Sequence, residues 1–170
     1  MLKVYIISGC CGAGKTTLTK ELIKEMPRTA LIHGDRIHDL FGTDLAAEWP
    51  ERLKITWQNI LLLTDNFLRN NANVVIDYVV EEAYELEQIF SVAKNYATEV
   101  RYIVMTADEA TIKERIIQRS GDWLVERALF LRNKIINCES NKPYLYDGSK
   151  DSIAEQIEVV KNFKPYFCSQ

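Results

Sequence analysis

Gly9-Cys10-Cys11-Gly12-Ala13-Gly14-Lys15-Thr16 decides how the chain is read, because it fits the phosphate-binding pattern G-x-x-x-x-G-K-[ST] at every fixed position. Ahead of it, Val4-Tyr5-Ile6-Ile7 is a β-branched and aromatic run that reads as a buried strand. Behind it, Leu18, Leu22, Ile23 and Met26 recur at helical spacing until Pro27 ends the pattern. The motif needs strand, loop and helix in that order, and the flanks supply them. Glycines let the backbone wrap closely around phosphate groups, with successive N–H groups turned inward as an anion nest. The helix that starts near Lys15 adds the positive end of its dipole. On this reading Gly9, Gly12, Ala13, Gly14, Lys15, Thr16 and Thr17 bind nucleotide. The Lys15 ammonium reaches the β- and γ-phosphates, and the Thr16 hydroxyl completes the shell of a Mg2+ ion.

The bulk properties bound what surrounds this loop. A length of 170 residues suits one domain, 1–170, with a sizeable core, and an apolar share of 47% argues against disorder. A net charge of −3 carries no basic surplus, which disfavours nucleic acid as the main partner. No apolar stretch is long enough to span a bilayer, and the N-terminus enters the first strand directly, so the expectation is a cytoplasmic protein, monomer or homodimer. Cys10, Cys11, Cys138 and Cys168 lack C-x-x-C spacing and a histidine cluster, so neither a zinc site nor a disulfide framework is indicated. Cys10 and Cys11 read either as small residues that fit the loop or as thiols acidified by Lys15 and the helix N-terminus.

Strand and helix patterns then alternate, as a parallel sheet with helical crossovers requires. Strands are expected at Thr29 to His33, Val74 to Ile76, Val100 to Met105 and Tyr144 to Tyr146. Helices are expected from about Pro50 to Asn70, Glu81 to Lys94, a stretch opened by a Thr106–Glu109 capping box, Asp122 to Asn137, and a last one capped by Ser152 and Glu155. In the third of these, Ile112, Ile116 and Ile117 are expected to face inward and Arg115 and Arg119 outward, with Ser120-Gly121 as a break.

Ligands in open parallel sheets gather at the carboxyl ends of the strands, which directs attention to the residues just after each one. Asp35 reads as a general base toward a substrate hydroxyl or as a cap of the turn it sits in. Asp77 ends an apolar run as a Walker-B carboxylate does; it holds Mg2+ through water, contacts substrate, or serves as a turn residue. Arg119 stands at the helix break and is the favoured lid cation over a γ-phosphate, with Arg115 and Arg127 as further candidates in a lid over about 115–127. Arg36 and His38 are candidate substrate contacts, whereas Trp49 and Trp57 read as packing residues.

With the G-x-x-x-x-G-K-T loop, an acidic residue after the second strand, an Arg-rich lid and a closing strand–turn–helix in place, the chain resembles small P-loop kinases of the gluconate kinase, shikimate kinase and chloramphenicol phosphotransferase type. That resemblance implies an α/β, three-layer P-loop NTPase fold: a five-stranded parallel sheet in the order 2-3-1-4-5, flanked by helices and carrying a small lid. It implies ATP and Mg2+ as cofactors and a small-molecule hydroxyl as acceptor of the γ-phosphoryl group. It implies an acceptor-binding segment over about 36–57, and a nucleotide base between Arg119 and Asp147-Gly148-Ser149. Gly34-Asp35-Arg36-Ile37-His38 is similar to the G-D-x-x-H element of gluconate kinases, but Val79-Val80-Glu81-Glu82 stands where those enzymes carry lysines. Val75 to Val79 and Arg119 to Asp122 look more like the antibiotic phosphotransferase pattern.

The alternatives are a nucleotide or nucleoside kinase and a regulatory P-loop NTPase. The first calls for more cations than Arg36, Arg52 and Lys54 in the acceptor segment. The second calls for an N-K-x-D motif and a D-x-x-G loop; Asn141-Lys142-Pro143-Tyr144 lacks the aspartate and Asp77-Tyr78-Val79-Val80 lacks the glycine. An ATP-binding module without transfer is disfavoured because Lys15 and Asp35 are both present.

Overall fold

The computed structural model describes residues 1–42, 45 and 48–166. Its centre is a sheet of β1 (Lys3–Gly9), β2 (Thr29–His33), β3 (Asn73–Asp77), β4 (Glu99–Thr106) and β5 (Leu145–Asp147), in the expected order β2-β3-β1-β4-β5. Every pairing is parallel. A parallel sheet has both faces covered, so its central strands must be largely apolar. They are: Val4, Ile6, Ile7, Val74, Val75, Ile76, Ile103 and Val104 are sealed from solvent.

Seven helices surround the sheet among the described residues: α1 (Lys15–Leu22), α2 (Gly34–His38), α3 (Trp49–Arg69), α4 (Ala83–Lys94), α5 (Glu109–Ser120), α6 (Val125–Asn137) and α7 (Ile153–Asn162). On α3 the buried positions are Thr56, Trp57, Ile60, Thr64 and Leu68, a stripe at helical spacing. The cap of α7 is as the sequence suggests: Ser152 Oγ accepts from Glu155 N while the Glu155 carboxylate accepts from Ser152 N.

Four local expectations need correction. The segment from Gly34 to His38 is a short helix and not only a turn, so it carries Asp35 and His38 on a rigid element. The α5 cap is Asp108, whose carboxylate accepts from Thr111 N at 2.9 Å, because the strand runs on through Thr106. Ile117 is exposed, and the buried face of α5 is Ile112 and Ile116 alone. Arg115 does not point away from the body; it turns back onto the phosphate loop.

Gly34 meets Tyr78, the residue that follows β3, at close quarters. A Cβ built there would collide with the near end of Tyr78, 2.8 Å from its Cβ and closer still to the ring. The base of a buried side chain cannot swing aside as a distal atom can. Gly34→Ala is therefore expected to cost about 2–3 kcal/mol of stability through overpacking, read as a lowered denaturation midpoint with unchanged m-value. A midpoint equal to the parent's would mean that β2, β3 and α2 do not meet this closely.

Among the described residues no helix is long and apolar enough to cross a membrane.

Candidate active site

The site grows from the carboxyl ends of β1, β2 and β3. At the end of β1, Gly9 takes φ +133°, and a Cβ there would run into the Met105 carbonyl of β4, a position open only to glycine. The chain can thus leave the sheet sharply and wrap into the loop that ends at Gly14, the N-cap of α1. Lys15 opens that helix, and its Nζ donates to the Gly9 carbonyl at 2.8 Å and the Cys10 carbonyl at 3.1 Å. Buried Ser8 Oγ accepts from Val80 N at 2.9 Å, tying the segment after β3 to β1.

Asp35, on the first turn of α2, is exposed, and its carboxylate makes no hydrogen bond or ion pair among the described residues. It does not cap α2, whose N-cap is His33 without a side-chain cap. Instead it lines a cleft of about 230 Å3 together with Cys11, Gly12, Gly14, Lys15, Thr16, Thr17, Arg115 and Arg119. An adjoining cleft of about 300 Å3 shares Thr16 and Asp35 and adds Lys20, His33, Arg36 and Asp77.

Asp77 is nearly buried, and three side chains converge on its Oδ2: Thr16 Oγ1 at 2.7 Å, His33 Nδ1 at 2.9 Å and, more weakly, Thr19 Oγ1 at 3.5 Å. A carboxylate only accepts, so Thr16 donates, and a neutral His33 ring meets Asp77 as the tautomer with its proton on Nδ1; the Thr19 hydroxyl lies nearer the Thr16 carbonyl, at 3.3 Å. With its proton committed to Asp77, the exposed Thr16 oxygen keeps its lone pairs for a cation. One hydroxyl backed by one carboxylate is a hard-oxygen set suited to Mg2+ that shares phosphate ligands. Among the described residues no group of three or more His, Cys, Asp or Glu side chains forms a self-contained metal cage.

The three arginines expected in a lid divide. Arg115 Nη1 donates to the Gly12 carbonyl at 3.2 Å, and Arg119, exposed and bonded to Ser120 Oγ at 3.3 Å, lines the same cleft. Arg127 is drawn elsewhere: it pairs with Glu81 at 3.0 Å, where Lys134 also reaches Glu81 and Glu82. It lies on α6, and the acidic residues after β3 hold it there in place of a phosphate. The Asp147-Gly148-Ser149 turn closes on itself, with Ser149 N and Oγ both donating to Asp147 Oδ1.

His38 belongs to an aromatic cluster. Its ring stacks on Trp49 at 5.5 Å, its Nε2 lies 3.2 Å from Tyr78 Oη, and Tyr78 meets Trp57 edge-on. Burial pushes the His38 imidazole down, with Asp35 opposing, and burial pushes the Tyr78 phenol up. The Nδ1 of His38 is buried and has no hydrogen-bond partner among the described residues. Trp57 is packed as expected, whereas Trp49 is half-exposed.

The acidified-thiol reading fails for Cys10, which is buried: burial pushes its thiol up against the opposing charge of Lys15. Cys11 lines the cleft, and Cys168 lies outside the described residues. Two cleft residues went unnoticed in the sequence, His33 and Lys20. His33 was legible in principle as the last residue of β2; Lys20 follows Thr16 by one helical turn and so shares its face.

A parallel sheet in this order, with a G-x-x-x-x-G-K-T loop between β1 and α1 and a carboxylate at the end of β3, defines the P-loop kinase fold. The family model described as an AAA domain, AAA_33, matches residues 4–130, and the chain belongs to that P-loop family. Among curated proteins, it is 25% identical to the guanylate kinase of Campylobacter jejuni over 182 residues, covering 93% of this chain and 85% of that one. Among solved structures, a sugar kinase from Janibacter sp. aligns with a TM-score of 0.68 at 14% identity over 93% of this chain and 91% of that one. The tunicamycin resistance protein of Deinococcus radiodurans aligns at 0.62 and 18% identity over 99% and 100%. A gluconokinase from Sinorhizobium meliloti aligns at 0.59 and 14% over 92% and 87%. At these identities the structural likenesses speak for the fold.

Proposed function

We propose that the chain is an Mg2+- and ATP-dependent kinase that moves a γ-phosphoryl group onto a hydroxyl of a small molecule. The observation that carries this reading is that Asp35, without a hydrogen bond or ion pair among the described residues, lines one cleft with Gly12, Gly14, Lys15 and Thr16. Bound MgATP supplies the transferable phosphoryl group and a cation that offsets its charge. Lys15 and the loop amides hold the phosphates, and Thr16, backed by Asp77, holds the metal. Asp35 takes the acceptor proton as the acceptor oxygen forms its bond to the γ-phosphorus, while the bond from that phosphorus to the β–γ bridging oxygen breaks and ADP leaves. Arg119 and Arg115 spread the charge that develops in transfer, and Arg36, His38 and Asp77 border the acceptor.

The names of the structural neighbours support a sugar, sugar acid or antibiotic-like alcohol as acceptor. The guanylate kinase relatives favour a second reading, a nucleoside monophosphate acceptor. An ADP-release screen against sugar acids, nucleosides, nucleoside monophosphates, shikimate-like acids and antibiotics separates the two. The expected result is ADP formation that depends on an uncharged or carboxylate-bearing alcohol. Release stimulated only by nucleoside monophosphates would transfer the conclusion to the second reading, and acceptor-independent release alone would refute both.

A further inference from the structure

We propose that His33 is a positioning residue: its Nδ1–H fixes the Asp77 carboxylate, which in turn keeps the Thr16 hydroxyl turned for a divalent cation. The inference rests on the kinase reading only in assuming that a cation enters with nucleotide at Thr16.

The sheet itself brings the pair together. In the parallel register of β2 and β3, His33 stands directly opposite Asp77 at the last paired position, where the strands open into the cleft. Asp77 also pairs with Ile7 of β1, so its backbone is fixed from both sides and only side-chain rotation is left free. Its Oδ2 receives two short hydrogen bonds, from Thr16 at 2.7 Å and His33 at 2.9 Å. The third, from Thr19, is at the 3.5 Å limit and holds little.

Removing the His33 donor leaves a carboxylate with 4% side-chain exposure held by one short contact from Thr16. Thr16 is also the residue the cation needs, so the carboxylate and the hydroxyl would then turn together and the metal-facing oxygen would lose its fixed direction. A histidine side chain that merely filled the end of β2 would not need to donate. His33 is partly exposed at 22%, and what it spends on ordering its ring is offset by this charge-assisted bond.

The test uses the full chain with ADP present and Mn2+ as the probe, free Mn2+ being read by electron paramagnetic resonance. His33→Ala is expected to raise the Mn2+ dissociation constant about tenfold, the low end of the range for outer-shell partners of metal ligands. His33→Asn, whose amide N–H can stand where the ring Nδ1–H does, is expected to stay within about threefold of the parent, since it keeps the donor. Unchanged Mn2+ affinity in His33→Ala would overturn the proposal, as would an equal loss in His33→Asn, which would make shape and not donation the cause.

A second measurement needs no variant. Nitrogen-15 spectra of the wild-type His33 imidazole, taken at alkaline pH where the ring is neutral, are expected to report the Nδ1–H tautomer. A proton on Nε2 with bare Nδ1 would also refute the role. If wild-type protein with nucleotide takes up no Mn2+, the kinase reading fails; if it does and His33→Ala matches it, only the role of His33 fails.

Discussion

Lys15→Ala is expected to lower kcat by about 10²–10³, or roughly 2.7–4 kcal/mol of transition-state stabilisation, the usual loss when one preorganised donor to developing charge is removed. The ammonium already sits in the cleft, held by the Gly9 and Cys10 carbonyls at 2.8 and 3.1 Å, so it is oriented before any phosphate arrives. Those two bonds have a charged donor, for which about 1.5–3 kcal/mol each is usual, but they border an open cleft where water can take the donor's place. The variant should therefore fold, and its loss should appear in turnover far more than in melting temperature. Lys15→Arg is not expected to restore activity, because a planar fork cannot replace a compact point charge within a loop of this size. Steady-state kinetics with the acceptor found in the screen decide the matter. Turnover within tenfold of the parent would contradict the phosphate-clamp assignment.

Asp35→Asn should reduce kcat roughly a hundredfold or more, with nucleotide affinity nearly unchanged. The amide keeps the shape and polarity of the side chain but cannot take a proton. Because the Asp35 carboxylate has no partner among the described residues and does not cap α2, the exchange removes no structural bond. A stability change close to zero is thus part of the expected result, and it separates a chemical role from a capping one. Calorimetric titration of nucleotide alongside turnover gives both readings. Normal turnover on the true acceptor would strip Asp35 of its role as base; a large fall in stability would restore the cap interpretation.

Much of this was legible in the chain. The phosphate loop could be read because its chemistry lies in consecutive residues, where glycine spacing and a following lysine constrain the backbone directly. Asp77 could be picked out because it closes an apolar run, and Asp35 because it comes just after the second strand, where parallel sheets gather ligands. His33 escaped notice because nothing in its neighbours along the chain distinguishes it; its meaning comes from Asp77, more than forty residues away. Helix periodicity put Arg115 and Arg119 together on the outer face of α5, yet Arg115 turns onto the loop at Gly12. A long side chain chooses among nearby acceptors that only the packed fold supplies. For the same reason Arg127, a further lid candidate by sequence, pairs with Glu81 and not with the phosphate loop.

The sequence alone determined the alternation of strands and helices, the phosphate loop and the class of fold, since all three follow from local periodicity and local backbone preference. Only the tertiary structure decided which cations face the cleft, that the Asp35 carboxylate makes no hydrogen bond or ion pair among the described residues, and that His33, Thr16 and Asp77 share one hydrogen-bonded node. Those facts depend on strand register and on side-chain directions across elements distant in the chain, and no local preference encodes either.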